Sequence, residues 1–304
     1  MKRSSSVSVI IPVLNGATTI TRTLGALVSQ AGAPTQTEII VVDNGSTDNT
    51  RKVVTQFDVT LLDEKTRGPS AARNHGLHAA TGEVIVYLDA DTLPTRSWLA
   101  ELTAAFDDPE VIIAGGRVLG YPPNTGAERF MATHGIWEPE NNIFRPVFPF
   151  VPSLNLAVRR DAALVIGGWA EDMLTGEDVD FSYRILKRFP TTIAYRPRAI
   201  LFHQHRQTDG ELRTQAWTYG EGGAQMYRRY PDAVNWDFAK TLHVCRLLAT
   251  RGMAPLVYTL GRLFGLASAR RVELARYHRL WTWWWWRGFL SMYRSGERRM
   301  WEAR

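Results

Sequence analysis

Short apolar runs that alternate with helical stretches constrain this chain more than any other feature. Val7-Ser-Val-Ile-Ile-Pro-Val-Leu14, Glu38–Asp43, Val59–Asp63 and Glu83–Asp89 each read as a strand. Between them lie helical patterns. Ile20, Leu24, Leu27 and Val28 share a face in Thr18–Ser29, and Asn49–Phe57 and Ser70–Ala80 follow, the last closed by Gly82. Strands alternating with helices of about ten residues define βαβ units and a mainly parallel sheet. Ligands of such sheets sit outside the carboxyl ends of the strands.

Beyond Asp91 the pattern loosens. Ser97–Phe106 reads as a helix and Val111–Leu119 as a strand. Gly120–Pro152, rich in Pro, Gly and aromatics, has no clear period and is expected to be an irregular insertion. Ser153–Val158 is strand-like, Asp161 is placed to cap a helix, and Asp178–Phe189 is a helix ended by Pro190. Thr192–His205 contains another strand, and the pattern is helical from about Gln215 onward. Met1-Lys2-Arg3 resembles the start of a signal peptide, but the run after it is short, is cut by Pro12 and lacks a small-residue cleavage site. A buried first strand is the expectation. No uninterrupted run of about 18 apolar residues occurs; Arg262 and several glycines break Met253–Ala269. Hydrophobic residues at 45% and charged ones at 22% exclude wholesale disorder. The single cysteine, Cys245, excludes an internal disulfide and a cysteine-rich zinc site.

The chemistry-bearing residues cluster at predicted strand and helix ends. Asp89 and Asp91 follow an apolar strand at spacing i, i+2, so both carboxylates could face one ligand. Mg²⁺ and Mn²⁺ favour such oxygen donors and share their shell with substrate phosphates. A turn with capping aspartates has the same pattern. Asp43 ends the second strand, on the same sheet edge. Arg67-Gly-Pro-Ser70 opens a helix that carries Arg73 and Asn74, the makings of an anion site or of a solvated helix face. Glu177, Asp178 and Asp180 open the next helix. Three carboxylates exceed what a cap needs, and one held at a helix N-terminus is expected to stay ionised, as a general base must. His203 and His205, i, i+2 after a strand, share a face, and one of them is a candidate metal ligand.

Taken in order, Val9-Ile-Ile-Pro-Val-Leu-Asn15, Ile40-Val-Val-Asp-Asn-Gly-Ser-Thr-Asp48, Gly68-Pro-Ser-Ala-Ala-Arg-Asn74, Asp89-Ala-Asp91, Asn155-Leu-Ala-Val158, Gly176-Glu-Asp178 and His203-x-His205 resemble the family-2 glycosyltransferases of GT-A fold. The likeness runs from Val9 to about Gly223 and implies a mixed, mainly parallel sheet flanked by helices. It implies an inverting enzyme that moves a sugar from a nucleoside-diphosphate donor to a hydroxyl of a glycan or lipid-linked acceptor, with a divalent cation. On that resemblance Pro12, Asn15 and Asp43 would line the base pocket, and Arg67 and Arg73 would flank the ribose-diphosphate. Asp89 would approach the ribose and Asp91 the metal, joined by His203 or His205. Asp178 would be the base, Glu177 would contact sugar hydroxyls, and the Trp169 ring could stack on a sugar face or pack in the core. The implied division is a transferase domain over 1–223, with its nucleotide half at about 1–119 and its acceptor half at 120–223. A helical region over 224–304 follows. A nucleotidyltransferase would need a basic Gly-rich loop after the first strand, where Asn15-Gly-Ala-Thr18 stands. A scaffold without activity would not need Asp43, Asp89, Asp91 and Asp178 together.

The net charge of +6 is unevenly placed. Residues 240–304 carry 13 Lys/Arg against 3 Asp/Glu, and six of the eleven tryptophans lie between Trp281 and Trp301. Trp and Arg together suit an anionic membrane surface, here the cytoplasmic face of the cell membrane. An oligomer interface or packing on the body fits the same composition. No nucleic-acid motif accompanies the tail, so nucleic acid is not an expected partner.

Overall fold

The computed structural model describes residues 6–173, 175–233 and 238–295. Trp301 and the rest of the C-terminal basic segment lie outside them. The chain divides into two compact units: residues 1–121, 137–173 and 177–204 form one, and residues 122–136, 174–176 and 205–304 the other.

The first unit is built on an eight-stranded sheet. Its strands are β1 (Val7–Val13), β2 (Thr37–Asp43), β3 (Thr60–Asp63), β4 (Val84–Tyr87), β5 (Thr92–Pro94), β6 (Ile113–Gly120), β7 (Leu156–Arg159) and β8 (Ile193–His203), in the order β3-β2-β1-β4-β7-β6-β8-β5. The helices in chain order are α1 (Ile20–Val28), α2 (Thr50–Val54), α3 (Pro69–Ala79), α4 (Trp98–Thr103), α5 (Gly126–His134, in the second unit), α6 (Arg160–Val165) and α7 (Glu177–Arg188).

The pleat of β1 explains the layering. Val7, Val9, Ile11 and Val13 enter one core with Leu24 of α1 and Trp98 of α4. Ile10, on the other face, joins Leu77 of α3, Ala163 of α6 and Phe181 of α7. Alternate residues of a strand face opposite sides, so a strand covered on both faces is apolar on both. The exception in β1 is Ser8, whose buried hydroxyl donates to Glu38 and accepts from Gly82 N. Pro12 sits in β1 without disrupting the sheet because pairing with β4 stops at Ile10, while pairing with β2 runs on to Asp43. Beyond Ile10 one side of β1 has no ladder for Pro12 to break.

The parallel expectation holds for β1 to β4. Beyond β4 the sheet is mixed: β7 runs antiparallel to both β4 and β6. Asn155, fully buried, holds this half together. Its amide donates to the carbonyls of Arg117 and Ala199, both at 3.2 Å, and its oxygen accepts from Trp98 Nε1 at 2.8 Å.

Two expectations change here. Gly120–Pro152 is not wholly irregular, because it contains α5. Thr125 and Glu128 form a capping box at its start, and Gly135, at φ +73°, ends it. Asp161 lies inside α6, whose N-cap is Arg159. Thr92–Pro94, for which the sequence pattern predicts no element, pairs with β8 as the edge strand.

The second unit is helical. It comprises α5, α8 (Asp209–Arg229), α9 (Phe238–Leu263) and α10 (Ala269–Ser295). A second capping box, Thr208 with Glu211, starts α8 six residues ahead of the expected Gln215, and α8 continues unbroken past residue 223. Helices α8 and α10 cross backbone to backbone at two glycines. A methyl on Gly220 would fall on the Trp285 carbonyl, and one on Gly288 on the Trp217 carbonyl. Phe130, Leu212, Tyr277 and Trp281 form the core, and Trp285 stacks on Phe289 at 5.4 Å. Thus much of the tryptophan run is spent on packing inside this unit, with Trp283 left facing solvent. Among the described residues no helix is long and apolar enough to cross a membrane.

Candidate active site

The carboxyl ends of β1, β2 and β4 lie on one edge of the first unit, as parallel strands require. Register aligns Val13 with Asp43, and Asp43 with Asp63. The order reverses at β1, with β2 on one side and β4 on the other, which makes a topological switch point.

Polar side chains lace the loops at this edge. Asn15, in the left-handed region at φ +51°, accepts from Thr47 N at 2.8 Å, and its own N–H donates to Ser46 Oγ at 2.8 Å. Asp43 is 1% exposed. It accepts from Ser46 N at 3.2 Å and from Arg51 Nη1 at 3.1 Å. Arg51 also reaches Asp63 at 2.9 Å. Asn44 holds the next turn: Gly68 N donates to its oxygen at 2.8 Å, and its amide donates to the Thr66 carbonyl at 2.7 Å. Gly68, at φ +131°, then opens α3. Arg67 beside it is exposed, whereas Pro12 is half-buried.

Arg73 is the hub of the other side. Its side chain is almost wholly buried, and both terminal nitrogens have partners. Nη1 donates to Glu177 Oε1 at 3.0 Å, and Nη2 donates to Asp89 Oδ1 at 3.1 Å and to Ser153 Oγ at 2.9 Å. The guanidinium lies 4.9 Å from the Trp169 ring centre. That ring is 2% exposed and stacks on Phe181 at 4.3 Å. Trp169 is therefore a core residue, and the alternative of a sugar platform is excluded by its burial.

Asp178, next to Glu177 at the head of α7, is half-buried, with protein atoms crowding its carboxyl. Burial, first, and the neighbouring Glu177 carboxylate, second, push that carboxyl up to about 7; Arg73 and backbone N–H donors oppose the shift without cancelling it. The expectation that the helix N-terminus keeps Asp178 ionised is corrected here, since the helix end is outweighed by desolvation.

Asp89 and Asp91 part company. β4 ends at Tyr87, so the pleat no longer fixes their direction. Asp89 turns to Arg73, while Asp91 Oδ2 lies 3.6 Å from His203 Nε2. His203 is the last residue of β8, is buried, and pairs across to Thr92. Among the described residues nothing hydrogen-bonds its buried Nδ1. The strand ends there, so the alternation that would give His205 the same face stops; His205 is buried in the second unit. No group of three or more His, Cys, Asp or Glu is gathered for a metal among the described residues. The sequence reading missed Arg51, Asp63 and Ser153, which no motif marks.

Asp43 thus stands at the switch-point edge, and Arg73 gathers Asp89 and Glu177 beside Asp178; residues 8–166 match the family described as Glycosyl transferase family 2. The chain belongs to that family and has the GT-A fold. It is 31% identical over 236 residues to the pre-mycofactocin glycosyltransferase of Mycobacterium tuberculosis, a match covering 74% of this chain but 48% of that protein. The chain thus spans about half the length of that relative. It is 32% identical over 230 residues to glycosyltransferase AglE of Haloferax volcanii, covering 73% of this chain and 74% of AglE. Among solved structures, the mannosyltransferase PcManGT from Pyrobaculum calidifontis, in complex with GDP-Man and Mn²⁺, superposes with a TM-score of 0.63 at 19% identity, covering 97% of this chain and 88% of that one. S. aureus TarS 1–349 in complex with UDP gives 0.53 at 19% identity, covering 97% and 93%. These two likenesses carry the fold.

Proposed function

We propose that this chain is a glycosyltransferase that inverts the anomeric carbon, moving a sugar from a nucleoside-diphosphate donor, a UDP-sugar first among them, to a hydroxyl of a glycan or lipid-linked acceptor. The observation that carries the proposal is Asp178. A carboxyl that titrates near 7 is matched to take a proton at neutral pH. In the single displacement, Asp178 removes the proton of the acceptor hydroxyl as its oxygen bonds to the anomeric carbon. The bond from that carbon to the diphosphate oxygen breaks, and the electron pair leaves with the nucleoside diphosphate.

The remaining residues bind and orient. Pro12, Asn15 and Asp43 edge the base pocket, Asp43 with one oxygen already held by Arg51. Arg67, exposed beside the Gly68 turn, is free to reach the diphosphate. Arg73 holds Asp89 for the ribose and Glu177 for a sugar hydroxyl. Asp91 and His203 fit a divalent cation: a carboxylate oxygen and an imidazole nitrogen already face one another, and the donor's phosphates complete such shells. When bound, the cation neutralises charge developing on the diphosphate. The transferase portion ends at about residue 223, and the basic region beyond it supports a place on the inner face of the cell membrane.

The test is nucleotide release from UDP-, GDP- and dTDP-sugars with a panel of hydroxyl acceptors, with and without Mn²⁺. The expected result is cation-dependent release. Asp178→Asn should lower transfer by about 100-fold or more while donor binding persists. Full transfer by Asp178→Asn would remove Asp178 as the base, and a wild type that binds no nucleotide would remove the whole proposal.

A further inference from the structure

Among the described residues the outward side of α9 has no partner. Met253, Leu256, Val257, Leu260 and Leu263 fall on one side of the helix by their i, i+3 and i+4 spacing, and all are exposed, Leu263 at 76%. The helix then closes in a Schellman turn. Gly265, at φ +71°, donates to the Arg262 carbonyl at 3.1 Å, and Leu266 N donates to the Gly261 carbonyl at 2.8 Å. The turn presents Phe264, 77% exposed, beyond the helix end. A monomer rarely leaves so continuous an apolar strip in water.

Charge selects what covers it. From residue 238 to residue 272 there is no Asp or Glu, while Lys240, Arg246, Arg251, Arg262, Arg270 and Arg271 all lie there. A second copy would bring this cationic segment against itself. An anionic surface would attract it. On the same side of α9, Leu248 and Gly252 precede Leu256 and Leu260 on one i, i+4 row. These two residues wall a groove of about 550 Å³ whose other lining includes Arg213, Arg279 and Trp283, with Arg276 paired to Asp209. A cationic, aromatic-lined groove running into an apolar row matches a phospholipid headgroup above its acyl chains.

We propose that the α9 row from Met253 to Phe264 docks this chain on an anionic bilayer, lying in the plane of the interface. The proposal rests on the membrane placement given above and moves its contact surface from the tryptophan run to α9.

The test is co-flotation of the full chain with vesicles of equimolar phosphatidylcholine and phosphatidylglycerol, against phosphatidylcholine alone. Wild type is expected to float with the anionic vesicles. The pair Leu256→Glu and Leu260→Glu should lower the bound fraction about tenfold or more; the milder pair Leu256→Ser and Leu260→Ser should lower it less. Val28→Glu with Val165→Glu, equally exposed positions of the first unit, should change nothing. If wild type floats and the α9 pairs float equally well, the α9 inference is overturned while the membrane placement stands. If wild type stays unbound, both fall. If wild type sediments as a dimer that the Glu pair splits, and no lipid binds, the face belongs to a second copy.

Discussion

Exchanging Glu177 for Gln removes one charge beside Asp178 and little else, since the amide oxygen can still accept from Arg73. The sign follows from electrostatics. A carboxylate next door disfavours a second negative charge, so removing it lowers the Asp178 pKa. A neighbouring charge is worth on the order of one pH unit, or about 1.4 kcal/mol. With the group starting at about 7, roughly a tenth of it is ionised at pH 6. After a fall of about one unit, half would be ionised. The acid limb of kcat/KM should therefore move down in Glu177→Gln, giving about a fivefold advantage over wild type at pH 6 once both are normalised to their plateaus. No such advantage should remain at pH 8. Arg73→Met supplies the opposite sign, because the guanidinium favours the charged form, and its limb should move up. The assay is nucleotide release against pH with a fixed donor and acceptor. Limbs moving in the same direction, or a Glu177→Gln profile that keeps its wild-type shape, would refute the assignment of the titrating group to Asp178.

Other consequences are structural. Burial, then His278 and Arg251, holds His134 down at about 4, and burial with Arg251 holds His278 at about 4. Both are neutral in the folded chain and charge on unfolding, so their contribution is complete above pH 6.5 and is lost as the pH falls toward 4. Urea unfolding followed by tryptophan fluorescence should show the second unit weakening across that window, and His134→Phe should flatten the dependence. Gly288→Ala should destabilise the α8–α10 crossing by about 1–3 kcal/mol, because the added methyl meets backbone that cannot yield; chemical denaturation measures it. Asn155→Ala should cost about 2–4 kcal/mol by orphaning the Trp98 indole N–H and two carbonyls, read as a lower melting temperature.

The parallel half of the sheet was legible because its period is local: β1, β2 and β4 announce themselves by runs of Val and Ile. That the sheet is mixed came from the resemblance, whereas which strand runs antiparallel was not legible, since the insertion of β7 depends on partners far along the chain. Two helix starts were missed that a local signal marks, as Thr125-x-x-Glu128 and Thr208-x-x-Glu211 are both capping boxes. In the site, the carboxylates were visible as residues at strand and helix ends. Their states were not. The rise of Asp178 comes from burial, and the engagement of Asp43 by Arg51 from the loop that carries the chain eight residues on into α2, which no motif records. The tryptophan run shows the same limit. Composition suggested a surface, but Gly220 and Gly288 open the crossing at which Trp285 packs.

The clamp made by Arg73 also sets a clock. Its partner Ser153 is 80 residues away in sequence and Glu177 is 104. At ribosomal rates that longer distance corresponds to roughly 5–20 s of synthesis. During that interval the arginine has been made and its last carboxylate has not. The strands around β1 can pair early, from near neighbours, whereas the corner that bears Asp178 closes only when α7 arrives. A nascent chain thus holds Arg73 and Asp89 before the α7 carboxylates that complete the clamp exist, and on the proposed role of Asp178 transfer would begin only after that helix has been made.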